Sequence, residues 1–149
     1  MQIAQAEGQL QPCVILLNGF PGVGKLTIAK ALQLALPSDV PNRLIDNHVL
    51  IDLSEAIEPK STEEHHALRR KIRNLALLAP EALKDDNMVI IMTTCLSDTP
   101  VDIARHHEHA DIARARDVSL FTVNPTCDDK TNEARLCTDG RKAGRGLAG

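Results

Sequence analysis

Aromatic side chains are nearly absent from this chain of 149 residues, which contains two Phe and neither Tyr nor Trp. A core built from this composition must consist of Leu, Ile, Val and Ala. The formal charge of -3 provides no excess of basic residues, and there are almost no rings on which bases could stack. These two features argue against a nucleic-acid partner.

Cysteine pairs and long apolar runs are also lacking. The four cysteines, which are Cys13, Cys95, Cys127 and Cys137, form no C-x-x-C pair, so we expect no zinc site. Cys13 and Cys95 lie in or beside apolar runs, where cysteine acts as a small core residue, and this usage predicts a reducing, cytoplasmic setting. No apolar stretch approaches the roughly 20 residues that span a bilayer, so no membrane partner is expected.

A glycine-rich stretch, Asn18–Thr27, directly follows the apolar run Cys13–Leu17. Gly19, Gly24 and Lys25 in it fit the spacing G-x-x-x-x-G-K. Glycines let successive backbone N–H groups turn inward around an anion, and the helix that follows points its positive dipole end at the same place. A strand-to-helix turn that binds nothing is the weaker alternative, because strand, turn, lysine and helix all agree. The predicted nucleotide-binding residues are Gly19, Phe20, Pro21, Gly22, Val23, Gly24, Lys25, Leu26 and Thr27.

The predicted metal site is atypical. The residue after the lysine of such a loop is ordinarily Ser or Thr, whose hydroxyl binds Mg²⁺, but here it is Leu26. Thr27 is rotated by roughly 100° along the helix and cannot point in the same direction. The third apolar strand ends in Thr93–Cys95 where a magnesium-binding carboxylate is common, and Asp98 is the nearest acid. No metal ligand is therefore assigned, and nucleotide binding is a firmer inference than metal-assisted catalysis.

Strands and helices alternate along the chain, which predicts an α/β fold with a parallel sheet and helices on both faces. Residues 1–11 are predicted to be a flexible leader, residues 12–138 one nucleotide-binding domain and residues 139–149 a disordered Gly- and Arg-rich tail. The predicted strands are Cys13–Leu17, Arg43–Ile45, Met88–Met92 and Val118–Val123. The predicted helices are Gly24–Leu36, Val49–Ile57, Ser61–Pro80 with a last turn at Glu81–Lys84, Thr99–Arg116 and Asp129–Cys137.

Polar residues Asp46, Asn47 and His48 follow the second strand, at an edge where open α/β sheets bind ligands. Asp46 is either a base or hydroxyl-binding group, or it caps the helix that follows. The sequence gives these two interpretations about equal weight.

Two helices carry clusters of basic residues or histidines. Ser61 and Glu64 have the spacing of a capping box, and the helix behind them is basic. A solvated helix face is the favoured interpretation of its charges, and arginines that contact a phosphate or an acidic substrate are the alternative. The histidines near residue 107 are interpreted as exposed helix residues rather than metal ligands. These clusters are His65, His66, Arg69, Arg70, Lys71 and Arg73, and His106, His107 and His109.

On four segments the sequence resembles the P-loop kinases, which include nucleoside monophosphate, gluconate and shikimate kinases and chloramphenicol phosphotransferase. It is most similar to small ATP-binding proteins of this superfamily that are often labelled as AAA-type domains, in which Leu after the lysine is habitual. The resemblance covers roughly residues 12–138. The four segments are Leu17–Thr27, Leu44–His48, Ala67–Arg73 and Val123–Leu136.

This resemblance implies a three-layer P-loop NTPase fold with strand order 2-3-1-4, with ATP and Mg²⁺ as cofactors and a small hydroxylated molecule as acceptor. It implies that Lys25, Asp46 and Arg135 are catalytic: Lys25 on the phosphates, Asp46 as the acid that accepts the hydroxyl proton, and Arg135, with Arg141, in a lid. The family pattern continues with a fifth strand. The residues after Arg135 contain no apolar run, so the fifth strand is expected to be missing and the chain to be C-terminally truncated.

The sequence therefore predicts an ATP-dependent, kinase-like phosphotransferase that acts on a small molecule. Two alternatives remain at this stage. One is a nucleotide-binding regulatory module without phosphotransfer, which Leu26 and the missing acid favour. The other is an inactive truncated paralogue.

Overall fold

The computed structural model describes residues 10–78 and 87–137. The predicted leader up to residue 9, the last turn at 81–84 and the predicted tail 139–149, with Arg141, lie outside these ranges. Strands and helices alternate as expected. In chain order they are β1 (Cys13–Asn18), α1 (Lys25–Ala35), β2 (Asn42–Ile45), α2 (Asn47–Ile57), α3 (Glu63–Leu78), β3 (Val89–Thr94), α4 (Pro100–Ala115), β4 (Ser119–Val123) and α5 (Asp129–Leu136).

The four strands form one parallel sheet in the order β2-β3-β1-β4, which confirms the predicted topology. Leu17 pairs with Thr93 on one side and with Val123 on the other, and Ile45 pairs with Met92. The strands therefore end at nearly the same level. The segments that follow β1, β2, β3 and β4 all leave the sheet along a single carboxyl edge.

Alternation along β1 divides the core into two layers. Val14 and Leu16 point to the face that α3 and α4 cover, where they pack near Leu77 and Ile112. Cys13, Ile15 and Leu17 point to the opposite face, which α1 covers through Ala29, Leu32 and Leu36. Both faces of the central strands are buried, which explains their continuously apolar sequence. The result is a three-layer fold.

Burial departs from the expected pattern at Cys95, and two aliphatic side chains of the helices are exposed. The sheet-facing side of α1 is centred on Ala29, so Ile28 is exposed. In α3, Leu75 is 75% exposed, while Arg73 and Leu77 are buried. Cys95 is exposed, unlike Cys13. Apolar spacing identifies a helix, but several stripes fit the same spacing when aliphatic residues occur on more than one face.

The start of α3 differs from the capping box expected at Ser61. The hydroxyl of Thr62, one residue further on, accepts the backbone N–H of His65 at 3.3 Å. Hydrogen bonds from the backbone N–H of Glu64 and from the Thr62 hydroxyl lower the pKa of the Glu64 carboxyl. Thr62 therefore provides the cap, and the helix starts at Glu63.

Strand β4 lies at one edge of the sheet, and no further strand covers it within the described ranges. Phe121 and Val123 on this strand are both exposed. None of the helices in residues 10–78 and 87–137 is long and apolar enough to cross a membrane.

His109 is buried in α4, contrary to the expectation of an exposed histidine. Its Nδ1 lies 2.8 Å from the carbonyl oxygen of Arg105, to which the neutral ring donates. Burial lowers the pKa of His109 to about 4, and the nearby charge of Arg73 acts in the same direction. The ring is therefore neutral in the folded protein over a pH range in which an exposed histidine becomes protonated.

This burial predicts a pH-dependent stability. A histidine whose pKa is lowered by folding binds fewer protons in the native state, so stability falls as the pH falls from about 6.5 towards 4. The expected loss is about 3 kcal/mol between pH 7 and pH 4. In His109→Asn the amide keeps the donor to Arg105 but does not titrate, so its stability should fall less.

Urea unfolding of both proteins from pH 7 to pH 4 measures this difference. His107→Asn on the exposed side of α4 is the control and should retain the wild-type pH dependence. Parallel pH profiles for wild type and His109→Asn would contradict the expected titration.

Candidate active site

The side chain of Asn18, at the end of β1, joins three loops at the carboxyl edge. Its Nδ2 donates to the carbonyl oxygen of Leu96 at 3.2 Å and to Oδ1 of Asn124 at 3.1 Å. Its Oδ1 accepts the N–H of Leu96 at 2.7 Å. The N–H of Gly19 adds a bond to the carbonyl oxygen of Thr94 at 3.2 Å. The loop after β1 is thus fixed to the loops after β3 and β4.

The segment Gly19–Thr27, here called the glycine loop, turns through two residues of positive φ. Gly22 has φ of 91° and Gly24 has φ of 92°, in the left-handed region that favours glycine. A Cβ atom on Gly22 would lie 2.8 Å from Nδ2 of Asn132, whereas one on Gly24 would meet nothing closer than 3.6 Å. Gly22 is therefore required both for the turn and for the approach of α5.

Helix α5 packs on the glycine loop through two side chains. The carboxylate of Asp128 caps the helix by accepting the N–H of Thr131 at 2.8 Å. The capped helix places Asn132 beside the glycine loop, where its Nδ2 donates to the carbonyl oxygen of Pro21 at 2.8 Å. One turn later, Nη1 of Arg135 donates to the carbonyl oxygen of Gly22 at 3.2 Å. The structure therefore brings Arg135 to the glycine loop.

Lys25 is the first residue of α1, and its side chain folds back over the glycine loop. Its Nζ donates to the carbonyl oxygen of Gly19 at 2.5 Å and to that of Phe20 at 3.0 Å. The backbone N–H groups in the first turn of a helix have no partner within the helix, and here they border the loop. A lysine and the N–H groups of a first helical turn, around a concave backbone, form an anion-binding arrangement.

The other loop residues vary in exposure. Within the loop Gly22 and Val23 are buried, whereas Leu26 and Thr27 are exposed in the first turn of α1. Phe20, one of the two aromatic residues of the chain, is 71% exposed.

Asp46 occupies the N-cap position of α2, but its side chain makes no capping hydrogen bond. The buried hydroxyl of Thr93 donates to its Oδ1 at 2.5 Å and accepts the N–H of Asn47 at 3.0 Å. Nδ1 of His48 lies 3.3 Å from Oδ2. The capping interpretation is therefore wrong for this side chain. The carboxylate is instead held by Thr93, a buried residue near the end of β3.

The separation between Asp46 and the glycine loop follows from the sheet. Strand β3 lies between β1 and β2, and neighbouring strands are about 4.8 Å apart, so the two sites lie about 10 Å apart along the carboxyl edge. By register, Asp46 is level with Leu17, two residues before Gly19. A phosphoryl group and an acceptor hydroxyl fit into a space of this width.

Asn18, Thr93 and Asn132 have structural roles in this site that the sequence analysis did not assign. Each is a polar residue at the end of a buried strand or on the first helix after a strand. The available signal was position: a polar residue that ends an apolar strand lies at the edge where the strands end together. Their partners are 40 or more residues away in sequence, so the sequence alone did not show the pairs.

Oxygen ligands for a magnesium ion are few at this edge. Leu26 has no donor atom, and the end of β3 offers the hydroxyls of Thr93 and Thr94 rather than a carboxylate. No group of three or more His, Cys, Asp or Glu side chains that could hold a metal occurs in the described part of the chain. The residues fit a nucleotide phosphate chain better than they fit a metal ion.

No family model and no curated protein matches this sequence. Solved structures do match its fold. A "putative kinase" from Chloroflexus aurantiacus J-10-fl is 18% identical with a TM-score of 0.60, over 95% of this chain and 74% of that chain. The crystal structure of APE1195 is 19% identical with a TM-score of 0.56, over 91% of this chain and 72% of that chain. At these identities the likeness establishes the fold, which matches a P-loop kinase-like fold.

The contact between the glycine loop and α5 predicts unequal costs for two glycine substitutions. Gly22→Ala and Gly24→Ala both place a side chain at positive φ, which costs about 1–2 kcal/mol. Only Gly22→Ala also forces a Cβ atom against Asn132. We expect the midpoint of thermal unfolding to fall further in Gly22→Ala than in Gly24→Ala. Equal midpoints would show that α5 moves away from the loop at no cost.

Proposed function

We propose that this protein is an ATP-dependent phosphotransferase that acts on a hydroxyl group of a small molecule. The observation that carries the proposal is the arrangement of Lys25 and Asp46. The strand that leads to the loop of Lys25 and the strand that leads to Asp46 are about 10 Å apart and end at the same sheet edge. The kinase-like fold is consistent with this activity.

In this proposal the glycine loop holds the phosphates of ATP. Backbone N–H groups of the loop and of the first turn of α1 donate to phosphate oxygens. Lys25 gives up its two carbonyl partners and donates to the β- and γ-phosphates. Arg135, already hydrogen-bonded to the loop, turns its guanidinium towards the transferred group, where such an arginine stabilises the transition-state charge.

Asp46 acts on the acceptor. Its carboxylate takes the proton of the acceptor hydroxyl while the hydroxyl oxygen forms a bond to the γ-phosphorus. The bond between that phosphorus and the bridging oxygen breaks, and ADP leaves with the electron pair. The hydrogen bond from Thr93 fixes the rotamer of Asp46 through Oδ1, and the acceptor hydroxyl approaches Oδ2 beside the exposed ring of His48. Because few oxygen ligands for a metal occur at the described sheet edge, no step in this scheme depends on a protein-bound magnesium ion.

A second function is nucleotide binding in a regulatory module without transfer. Leu26 after the lysine and hydroxyls in place of an acid at the end of β3 favour this alternative. The two functions differ in one measurable result. Incubation with γ-labelled ATP, Mg²⁺ and a panel of hydroxylated metabolites and nucleosides gives a labelled acceptor for an enzyme and none for a binding module.

Lys25→Ala tests the assignment of the glycine loop. Removal of two charge-assisted hydrogen bonds should weaken ATP binding by at least about tenfold in calorimetry, since each is worth about 1.5–3 kcal/mol. Lys30→Ala, which removes the same charge from an exposed position of α1, is the control and should bind normally. Equal affinities of wild type and Lys25→Ala would rule out the glycine loop as the phosphate site.

Asp46→Asn separates catalysis from binding. Asparagine keeps the oxygen that accepts from Thr93 but cannot take a proton at neutral pH. We expect kcat to fall by about 10²–10⁴-fold, the range typical of general-base catalysis, while ATP affinity stays nearly constant. Asp52→Asn on the exposed side of α2 should leave kcat unchanged. An unaltered kcat together with a lower unfolding midpoint would assign Asp46 a structural role only.

A further inference from the structure

A cavity of about 590 Å³ lies between the first halves of α3 and α4. No residue of the glycine loop lines it. Its apolar wall consists of Ala67, Pro100, Val101 and Ala104, and its polar wall is basic. A volume of this size is typical of sites that bind small molecules. The polar lining includes His66, Arg69, Arg70, Arg73, Arg105 and Glu108.

The charges around this cavity do not balance. Four arginines line it, against the two carboxylates Glu63 and Glu108. Arg73 forms an ion pair with Glu108, and Arg70 approaches the other oxygen of the same carboxylate at 3.4 Å. One carboxylate thus serves two guanidinium groups. Arg105 forms an ion pair with Asp102 on the same helix, Nη1 to Oδ1 at 3.0 Å. The four arginines therefore exceed the three nearby carboxylates by one positive charge.

Arg69 is the remaining arginine of the cavity lining. Within the described residues its guanidinium makes neither an ion pair nor a hydrogen bond, although it is only partly exposed. Burial lowers the pKa of Arg69, and the neighbouring charge of Arg105 lowers it further. A desolvated cation beside another cation raises the free energy of the protein without a ligand, and an anion placed between them would lower it.

Two further polar atoms of residues that line the cavity lack a hydrogen-bond partner in the described part of the chain. These atoms, Nδ1 of His66 and Nε of Arg73, are buried. Buried polar groups normally have a partner, so such atoms call for an explanation, and a ligand oxygen is one. His66 lines the cavity beside Arg69, and burial followed by the charges of Arg105 and Arg69 lowers its pKa.

One end of the cavity is lined by the start of the helix that follows β3. Helix α4 begins at Pro100, six residues after β3 ends at Thr94. The intervening loop is held to β1 through Asn18. Pro100 and Val101 in the first turn of α4 line the cavity. A molecule bound there lies against the helix that leaves the carboxyl edge.

We propose that the cavity between α3 and α4 binds an oxyanion group, a carboxylate or a phosphate, of the acceptor molecule. The planar guanidinium groups of Arg69 and Arg70 donate to its oxygens, and Arg105 approaches from α4. The carbon skeleton of the acceptor packs on Ala67 and Val101. That the anion belongs to the acceptor rests on the proposed phosphotransfer, whereas binding of the anion by the cavity does not.

Calorimetric titration with inorganic phosphate, glucose 6-phosphate and glucuronate, without nucleotide, tests the binding. At least one anion should bind the wild type, and Arg69→Gln should weaken this binding by about tenfold or more, as expected for a charge-assisted hydrogen bond. Lys71→Gln removes the same charge from the exposed side of α3 and should bind as the wild type does. Arg69→Gln without ligand should unfold at the same temperature as the wild type or higher.

Lys25→Ala distinguishes the two anion sites, because inorganic phosphate could also bind the glycine loop. Binding that persists in Lys25→Ala and is lost in Arg69→Gln supports the cavity. Absence of binding by all three anions, binding lost in Lys25→Ala, or binding unchanged in Arg69→Gln would overturn it. Anion binding at the cavity with no transfer to any acceptor would reject the proposed phosphotransfer and leave the anion site intact.

Transfer from labelled ATP then tests the link to the acceptor. For two acceptors that differ in one anionic group, glucose 6-phosphate and glucose, the kcat/KM ratio should favour the anion in the wild type. The preference should disappear in Arg69→Gln through KM rather than kcat. An equal preference in both proteins would show that the anion of the acceptor binds elsewhere.

Discussion

The common level at which the parallel strands end is the constraint on which the rest of this structure depends. Alternate burial along β1 fixes its register against β3 and β4, because a slip by one residue would exchange the two core faces. With the register fixed, Gly19 and Asp46 leave the sheet close together. The hydrogen bonds of Asn18 then join the loops that follow three of the strands. Parallel pairing thus places residues from distant parts of the sequence at one edge.

The residue pattern was sufficient to predict the strands and the glycine loop, whereas the strand order followed from the resemblance to P-loop kinases. Continuous apolar runs such as Cys13–Leu17 have few alternatives to a buried parallel strand, and positive φ at Gly22 agrees with the glycine spacing. Burial of the helices was harder to predict. The aliphatic residues of α1 and α3 fit more than one stripe, and the side that packs on the sheet depends on the neighbouring elements. Ile28 and Leu75 are exposed for this reason.

Contacts between polar residues that are far apart in the chain could not be predicted from the sequence, for a different reason. The partner of Asp46 is Thr93, and the basic residues of α3 acquire their environment from α4. Local rules describe capping and solvated faces well, because these depend on residues a few positions apart. They do not describe a carboxylate fixed by the neighbouring strand, or arginines enclosed between two helices. Both features depend on tertiary contacts, and the proposed chemistry of the protein rests on them.

The folded-back side chain of Lys25 also bears on the choice of nucleotide. Its ammonium group donates to two carbonyl oxygens of the loop. In the proposed nucleotide site, a ligand would replace both bonds before it gained anything from this lysine. A single phosphate would offer little charge for the exchange, whereas a chain of phosphates would supply several anionic oxygens at once. The proposed site would therefore favour nucleotides with more phosphates, before any contact with the base is made.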